Sequence, residues 1–224
     1  MTESAGLESL RLAVEWENVG SALGRGESIP NASYWNELVT CAIACRQQIV
    51  PGTSLFRARV MPVRNEFDLE PLSEMGSPPT EVADAHRLSR KGVPAFYSAR
   101  ELETAVAEVR PWRGARLTVA HFVTTAPLNV ANLTKHHTET QSSMSLRYVS
   151  QMLGRPFHER DEERYLASQE LADACRRGGL DGIEYDSALT DGGVNLMLFA
   201  AATLACQARE LREITTVSIT SVRV

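Results

Sequence analysis

Apolar residues in the first fifty positions recur at helical spacing. Leu7, Leu10, Val14 and Leu23 fall on a rough helical period with Trp16 and Val19 beside them, which predicts a helix over 7–23. The Gly and Pro residues of GRGESIPNAS interrupt it, and a second helix is predicted over 33–49, ended by PGTS. From Leu55 onward the texture changes to short strand-like runs separated by polar connections. LFRARVM (55–61), VPAFYS (93–98), ARLTVAHFVT (115–124), GIEYDS (182–187), NLMLFA (195–200) and ITTVSITSV (214–222) predict strands. Helices are predicted over 100–109, 141–153 and 161–178, the last closing at Gly178-Gly179. Strands dominate the second half, with helices inserted singly, so the fold class expected is α+β rather than a doubly wound parallel sheet. The expected organisation is an N-terminal helical extension, 1–52, packed on a main domain, 53–224. Residues 64–92 form a long connection with few structural signals, the kind of loop that often carries function.

Ser98 and Glu101 have the form of a capping box, which predicts a helix starting at Ala99. Leu102, Ala105, Val106 and Val109 then make one apolar stripe, and Glu108 lies about 120° from its centre. That flank position suits a solvated glutamate as well as one looking into a cleft. Before the strand comes a basic loop with Arg87, Arg90 and Lys91, and arginine forks suit phosphate or carboxylate. Tyr97 closes the strand, placed either to fill part of the core or to offer its ring to a ligand.

Composition narrows the function classes. The chain has 224 residues and a net charge of −5, without the basic face that nucleic-acid binding needs. No apolar run is long enough to span a bilayer and MTESAGLESL lacks a signal pattern, so the expected location is the cytoplasm. Cys41, Cys45, Cys175 and Cys206 lack zinc-ribbon spacing, and Cys41 and Cys45 fit best as small buried apolar residues. His136 and His137 are adjacent, which suits a polar loop better than a metal pair; no metal is expected. There is no G-x-G-x-x-G for a cycling dinucleotide and no G-x-S-x-G around Ser187.

The order of the pieces is more specific than any one of them. LFRAR at 55–59 is followed by SPP, R-L-S-R-K-G at 87–92, FYSA at 96–99, TAVAEVRP at 104–111, GLDGIEYDSA at 179–188 and NLMLF at 195–199. Over roughly residues 54–220 this resembles the RES domain family, named for an arginine, a glutamate and a serine. The resemblance implies Glu108 as the glutamate, Ser187 as the serine, Arg57 or Arg87 as the arginine, and Tyr97 and Asn195 as further substrate-binding residues. YLASQ at 165–169 is similar to a tyrosine–glutamine helix of longer members. The loop departs from the family pattern at His86, Leu88 and Ser89, where glycine, an aromatic and asparagine are usual.

The resemblance further implies an ADP-ribosyltransferase-like fold with a mixed or antiparallel β core. It implies a toxin that consumes NAD+ as substrate, by phosphorolysis with inorganic phosphate as co-substrate or by hydrolysis. No bound cofactor is expected, and a helix-turn-helix antitoxin is the expected partner. The same site would also suit ADP-ribose transfer to a macromolecule, and an inactive binding module would keep the same fold. The helices of 1–52, with Trp16, Tyr34 and Trp35, suit packing on the main domain, a homo-oligomer contact or docking of an antitoxin.

Overall fold

The architecture rests on one mixed sheet, seen in a computed structural model that describes residues 3–61, 72–140, 144–155 and 165–218. Among the described residues the strands are β1 (Arg46–Ile49), β2 (Ser54–Val60), β3 (Phe96–Ala99), β4 (Arg116–Thr124), β5 (Leu128–Asn132), β6 (Gly182–Asp186), β7 (Val194–Leu198) and β8 (Leu204–Glu213). Their order across the sheet is β1-β5-β6-β7-β3-β2-β4-β8, and every neighbouring pair is antiparallel except β5 with β6. The helices are α1 (Glu3–Gly24), α2 (Ala32–Ala44), α3 (Leu72–Met75), α4 (Leu102–Glu108), α5 (Lys135–Thr140), α6 (Met144–Leu153) and α7 (Leu166–Arg177). The expected α+β class is what the chain adopts.

Strand alternation divides the core in two. The register pairs Tyr97 with Met197 and Met197 with Ile183, so these point to one face. There they meet α1, α2, α6 and α7 in a large cluster that includes Leu171 and Leu133. Phe96, Leu196 and Leu198 point the other way and pack with Leu55, Phe122 and Met75. Phe96 and Phe122 meet edge-on with centroids 5.1 Å apart.

The two leading helices are integral to the first cluster. Trp16 is buried against Trp35 and Tyr148, with ring centroids 5.9 and 6.4 Å away. Both tryptophans are thus core residues rather than surface anchors. Cys45 and Cys175 are buried in the same cluster and Cys41 packs beside it, all as free thiols. Burial pushes the thiol of Cys175 up to about 12, which keeps it protonated and unreactive.

Several local expectations fail for identifiable reasons. The second helix stops at Ala44 rather than 49, because Arg46–Ile49 pair with Leu128–Ala131 as an edge strand. The helix carrying Glu108 starts at Leu102, not Ala99, and there is no capping box. Ser98 is still in β3, where its hydroxyl donates to Leu196 O, while the Glu101 carboxylate accepts from Thr104 Oγ1 and Val194 N. His136 and His137 lie in α5, not a loop. Residues 214–218 are not strand: β4 begins at Arg116, and beyond Ile214, which bonds to Ala115 O, it has no further residues to offer. The strand beside β4 is β8, and positions 219–222 of the expected strand lie outside the described residues. So do 64–71 of the long connection, 141–143 of one expected helix and 161–164 of another.

Replacing Trp16 with alanine is expected to cost about 3–5 kcal/mol of folding free energy, measured by urea unfolding. A loss below about 1 kcal/mol would place the tryptophan outside the cooperative core.

Candidate active site

A cleft of about 280 Å³ opens where α4 crosses the end of the helix-covered face. Its walls come from β2 (Phe56, Arg57), β3 (Tyr97), β6 (Tyr185), β7 (Asn195), α4 (Glu108) and the loop residue His86. Strand register does much of the placing. Asn195 pairs with Ala99 on one side and Tyr185 on the other, so the three share a face.

Glu108 stands exposed at the end of α4, and its environment is asymmetric. Ser187 Oγ and Asn195 Nδ2 both donate to the same carboxylate oxygen, Oε1, at 2.7 Å. No hydrogen bond to Oε2 is found among the described residues. One oxygen is therefore clamped while the other is open to a ligand. Ser187 is itself held, since its hydroxyl oxygen accepts from the N–H groups of Leu189 and Thr190. With its proton given to a carboxylate and its lone pairs engaged, Ser187 is a positioning group rather than a nucleophile.

The loop that carries Ser187 approaches α4 closely at Gly193. A Cβ there would lie 2.4 Å from Thr104 Oγ1, and Gly193 O accepts the N–H of Ser187. Any side chain at this position would push Ser187 away from Glu108. A second tie links the layers beneath: Arg100 Nε donates to Glu184 at 2.5 Å, in a pair whose carboxylate is almost fully buried. Removing one member of such a pair would strand the other charge.

Arg57 is the cation of the cleft. It is half-buried, it donates to Tyr97 O at 3.3 Å, and its guanidinium lies over the Phe96 ring at 5.1 Å. No carboxylate pairs with it among the described residues. Burial, with Arg59 adding repulsion, pushes its pKa down to about 10. The cleft thus presents a desolvated positive charge that an anion would relieve.

Arg87, the alternative arginine, is placed differently. Its guanidinium donates to the carbonyls of Met152, Leu153 and Arg155 at and just beyond the end of α6, where helical carbonyls lack intrahelical donors. It ties the loop to that helix and does not line the cleft. Arg90 is likewise engaged, with Glu170 and Asp173 of α7 at 2.8 Å. Of the basic loop, Lys91 stands exposed.

The loop departing from the family pattern is well supported. His86 and Ser89 bond each other's backbones, and Gln169 Nε2 donates to both their carbonyls, at 2.8 and 3.1 Å. Ser168 Oγ donates to Arg87 O, so YLASQ grips the loop through its backbone. The Tyr97 hydroxyl accepts from Leu88 N and lies 3.0 Å from Ser89 Oγ. Burial pushes the Tyr97 phenol up to about 12, so it stays neutral.

The structure therefore brings Arg57, Tyr97, Glu108, Ser187 and Asn195 together and keeps the Arg87 guanidinium apart. Tyr185, His86 and Phe56 line the same cleft and are not among the site residues expected from sequence, where His86 stands out only as a departure from the family's loop pattern. Tyr185 is buried, which holds its phenol well above the ordinary range. The signal for it was present, since it sits two residues before Ser187 in a strand whose alternate residues share a face.

The model of the RES domain family matches residues 55–218. No curated protein matches the chain. Among solved structures, the chain is similar to one from the M. tuberculosis MbcT–MbcA toxin–antitoxin complex. That likeness has 15% identity and a TM-score of 0.49, covering 80% of this chain and 92% of that one. With the family match spanning most of its length, and beginning in β2 after the first two helices, this chain belongs to the RES domain family.

Proposed function

We propose that the chain destroys NAD+ by cleaving the bond between nicotinamide and ribose. The observation that carries this reading is the pairing, in one cleft, of a half-clamped carboxylate with a partly desolvated arginine that has no carboxylate partner among the described residues. As the C1–N bond breaks, its electron pair goes to the pyridine nitrogen and neutral nicotinamide leaves. Positive charge develops on the ribose, where the open oxygen of Glu108 stabilises it. Ser187 and Asn195 hold that carboxylate in place beforehand, so little reorganisation accompanies the step. An oxygen of water or of inorganic phosphate adds to C1, giving ADP-ribose and a proton, or the 1″-phosphate ester.

The volume of about 280 Å³ lies at the small end of ligand pockets, which run from about 300 Å³. It suits the nicotinamide–ribose half, leaving the adenylate toward solvent. Arg57 meets the pyrophosphate or the attacking phosphate, and the Tyr97 ring faces the nicotinamide. Arg87 contributes by fixing the loop. Family membership is what supports the wider biological reading, a toxin held in check by a helix-turn-helix antitoxin.

Two variants test the site. Glu108→Gln keeps the two hydrogen bonds to Oε1 and removes the charge; NAD+ loss is expected to fall by about 10²–10³-fold with folding intact. Undiminished turnover would refute the assignment, and label transferred from adenylate-labelled NAD+ to protein would replace hydrolysis or phosphorolysis with ADP-ribose transfer. Arg57→Met removes a half-buried charge that has no carboxylate partner among the described residues. It is expected to raise the stability of the ligand-free protein by roughly 1 kcal/mol while abolishing turnover. The sign follows from linkage: a folded pKa near 10, below the ordinary arginine value, means the charged form costs stability at neutral pH and the cost fades only above pH 10. A destabilised variant in thermal unfolding would show that the Arg57 charge is compensated in the folded chain.

A further inference from the structure

β8 is the last strand in the sheet order, and residues 207–213 are exposed on both of its faces. An exposed strand edge of this length templates pairing unless the chain blocks it, by proline, a bulge or charges of one sign. The bulge here lies toward the other end, opposite His121 and Phe122. The stretch beyond it reads Arg209-Glu210-Leu211-Arg212-Glu213, with signs that alternate about a central leucine. Reversed, that order is its own complement.

The backbone agrees with this reading. Ile214 donates to Ala115 O and accepts from Gly114 N, so its polar groups face β4. By antiparallel alternation the N–H and C=O groups of Arg209, Leu211 and Glu213 point outward, away from β4. Trp112, Leu211 and Val217 are among the exposed large apolar residues, at 59, 40 and 46% exposure, and the loop holding Trp112 is bonded to Ile214 through Gly114.

We propose that β8 pairs with β8 of a second copy of this chain, antiparallel and two-fold symmetric about Leu211. Leu211 and the partner's Leu211 exchange both backbone hydrogen bonds. Arg209 lies opposite the partner's Glu213 on the face shared with Leu211, and Glu210 lies opposite the partner's Arg212 on the other face. The sheets of two protomers then run on as one. This contact is independent of what the cleft does to NAD+.

Sedimentation velocity and native mass spectrometry of the full chain test it. The wild-type chain is expected to be a dimer. Glu210→Arg and Arg212→Glu each set like charges opposite one another, and Leu211→Lys sets two lysines at the axis. Each is expected to weaken the dimer by roughly tenfold or more. Mixing the Glu210→Arg chain with the Arg212→Glu chain restores both cross-strand pairs, so a mixed dimer is expected to form from two weakened parents. A change that merely damaged the fold would give no such recovery. A wild-type monomer at every concentration, including one that takes a strand from another protein, would overturn the proposal. So would a dimer indifferent to all three substitutions, or a mixture without the mixed dimer.

Discussion

Everything at the cleft depends on the two hydrogen bonds that meet at Oε1 of Glu108. They come from different segments: Asn195 lies in β7, and Ser187 in the loop that follows β6. α4, β7 and the loop must therefore all be in register for the carboxylate to be aimed. The close approach of Gly193 to Thr104 and the hydrogen bond from Val194 N to the Glu101 carboxylate serve that registration. A carboxylate fixed by such crossing constraints keeps its geometry as charge builds beside it, which a freely rotating glutamate does not.

The arginines show how identical chemistry divides into different tasks. Arg57 emerges from a central strand beside an aromatic ring and meets no counter-charge among the described residues. Arg87 emerges from a turn and finds three carbonyls at a helix end, while Arg90 finds two carboxylates. Position on the fold, rather than residue type, decides which of them is available to a ligand.

Much of this was legible in the sequence, and unevenly. Leu55–Val60 and Gly182–Asp186 announced themselves as strands because their apolar runs are bounded by turn residues. Glu108 could be placed on a helix flank by period alone, but the hydrogen bonds that hold its carboxylate span 79 and 87 positions along the chain and leave no local trace. Arg46–Ile49 looked like the continuation of a helix since only pairing with β5 makes it a strand. The Ser98–Glu101 spacing matched a cap, yet the hydroxyl was already committed to the neighbouring strand. Leu204–Glu213 was missed because its faces lack the one-sided burial that gives a strand its alternation. Local pattern reveals what local physics decides, and these features are decided at long range.

The helix α7 works on two sides at once. Gln169, Ser168, Glu170 and Asp173 reach toward the loop bearing His86, Arg87 and Arg90, while the helix also packs against α1 and α2. Neither α1 nor α2 falls within the segment that defines the family match. The cleft wall is consequently braced from outside the family-matched segment, by the helices whose tryptophans pack in the first cluster. Load applied to those helices is transmitted through α7 to the rim of the cleft, with no intervening hinge in that helix.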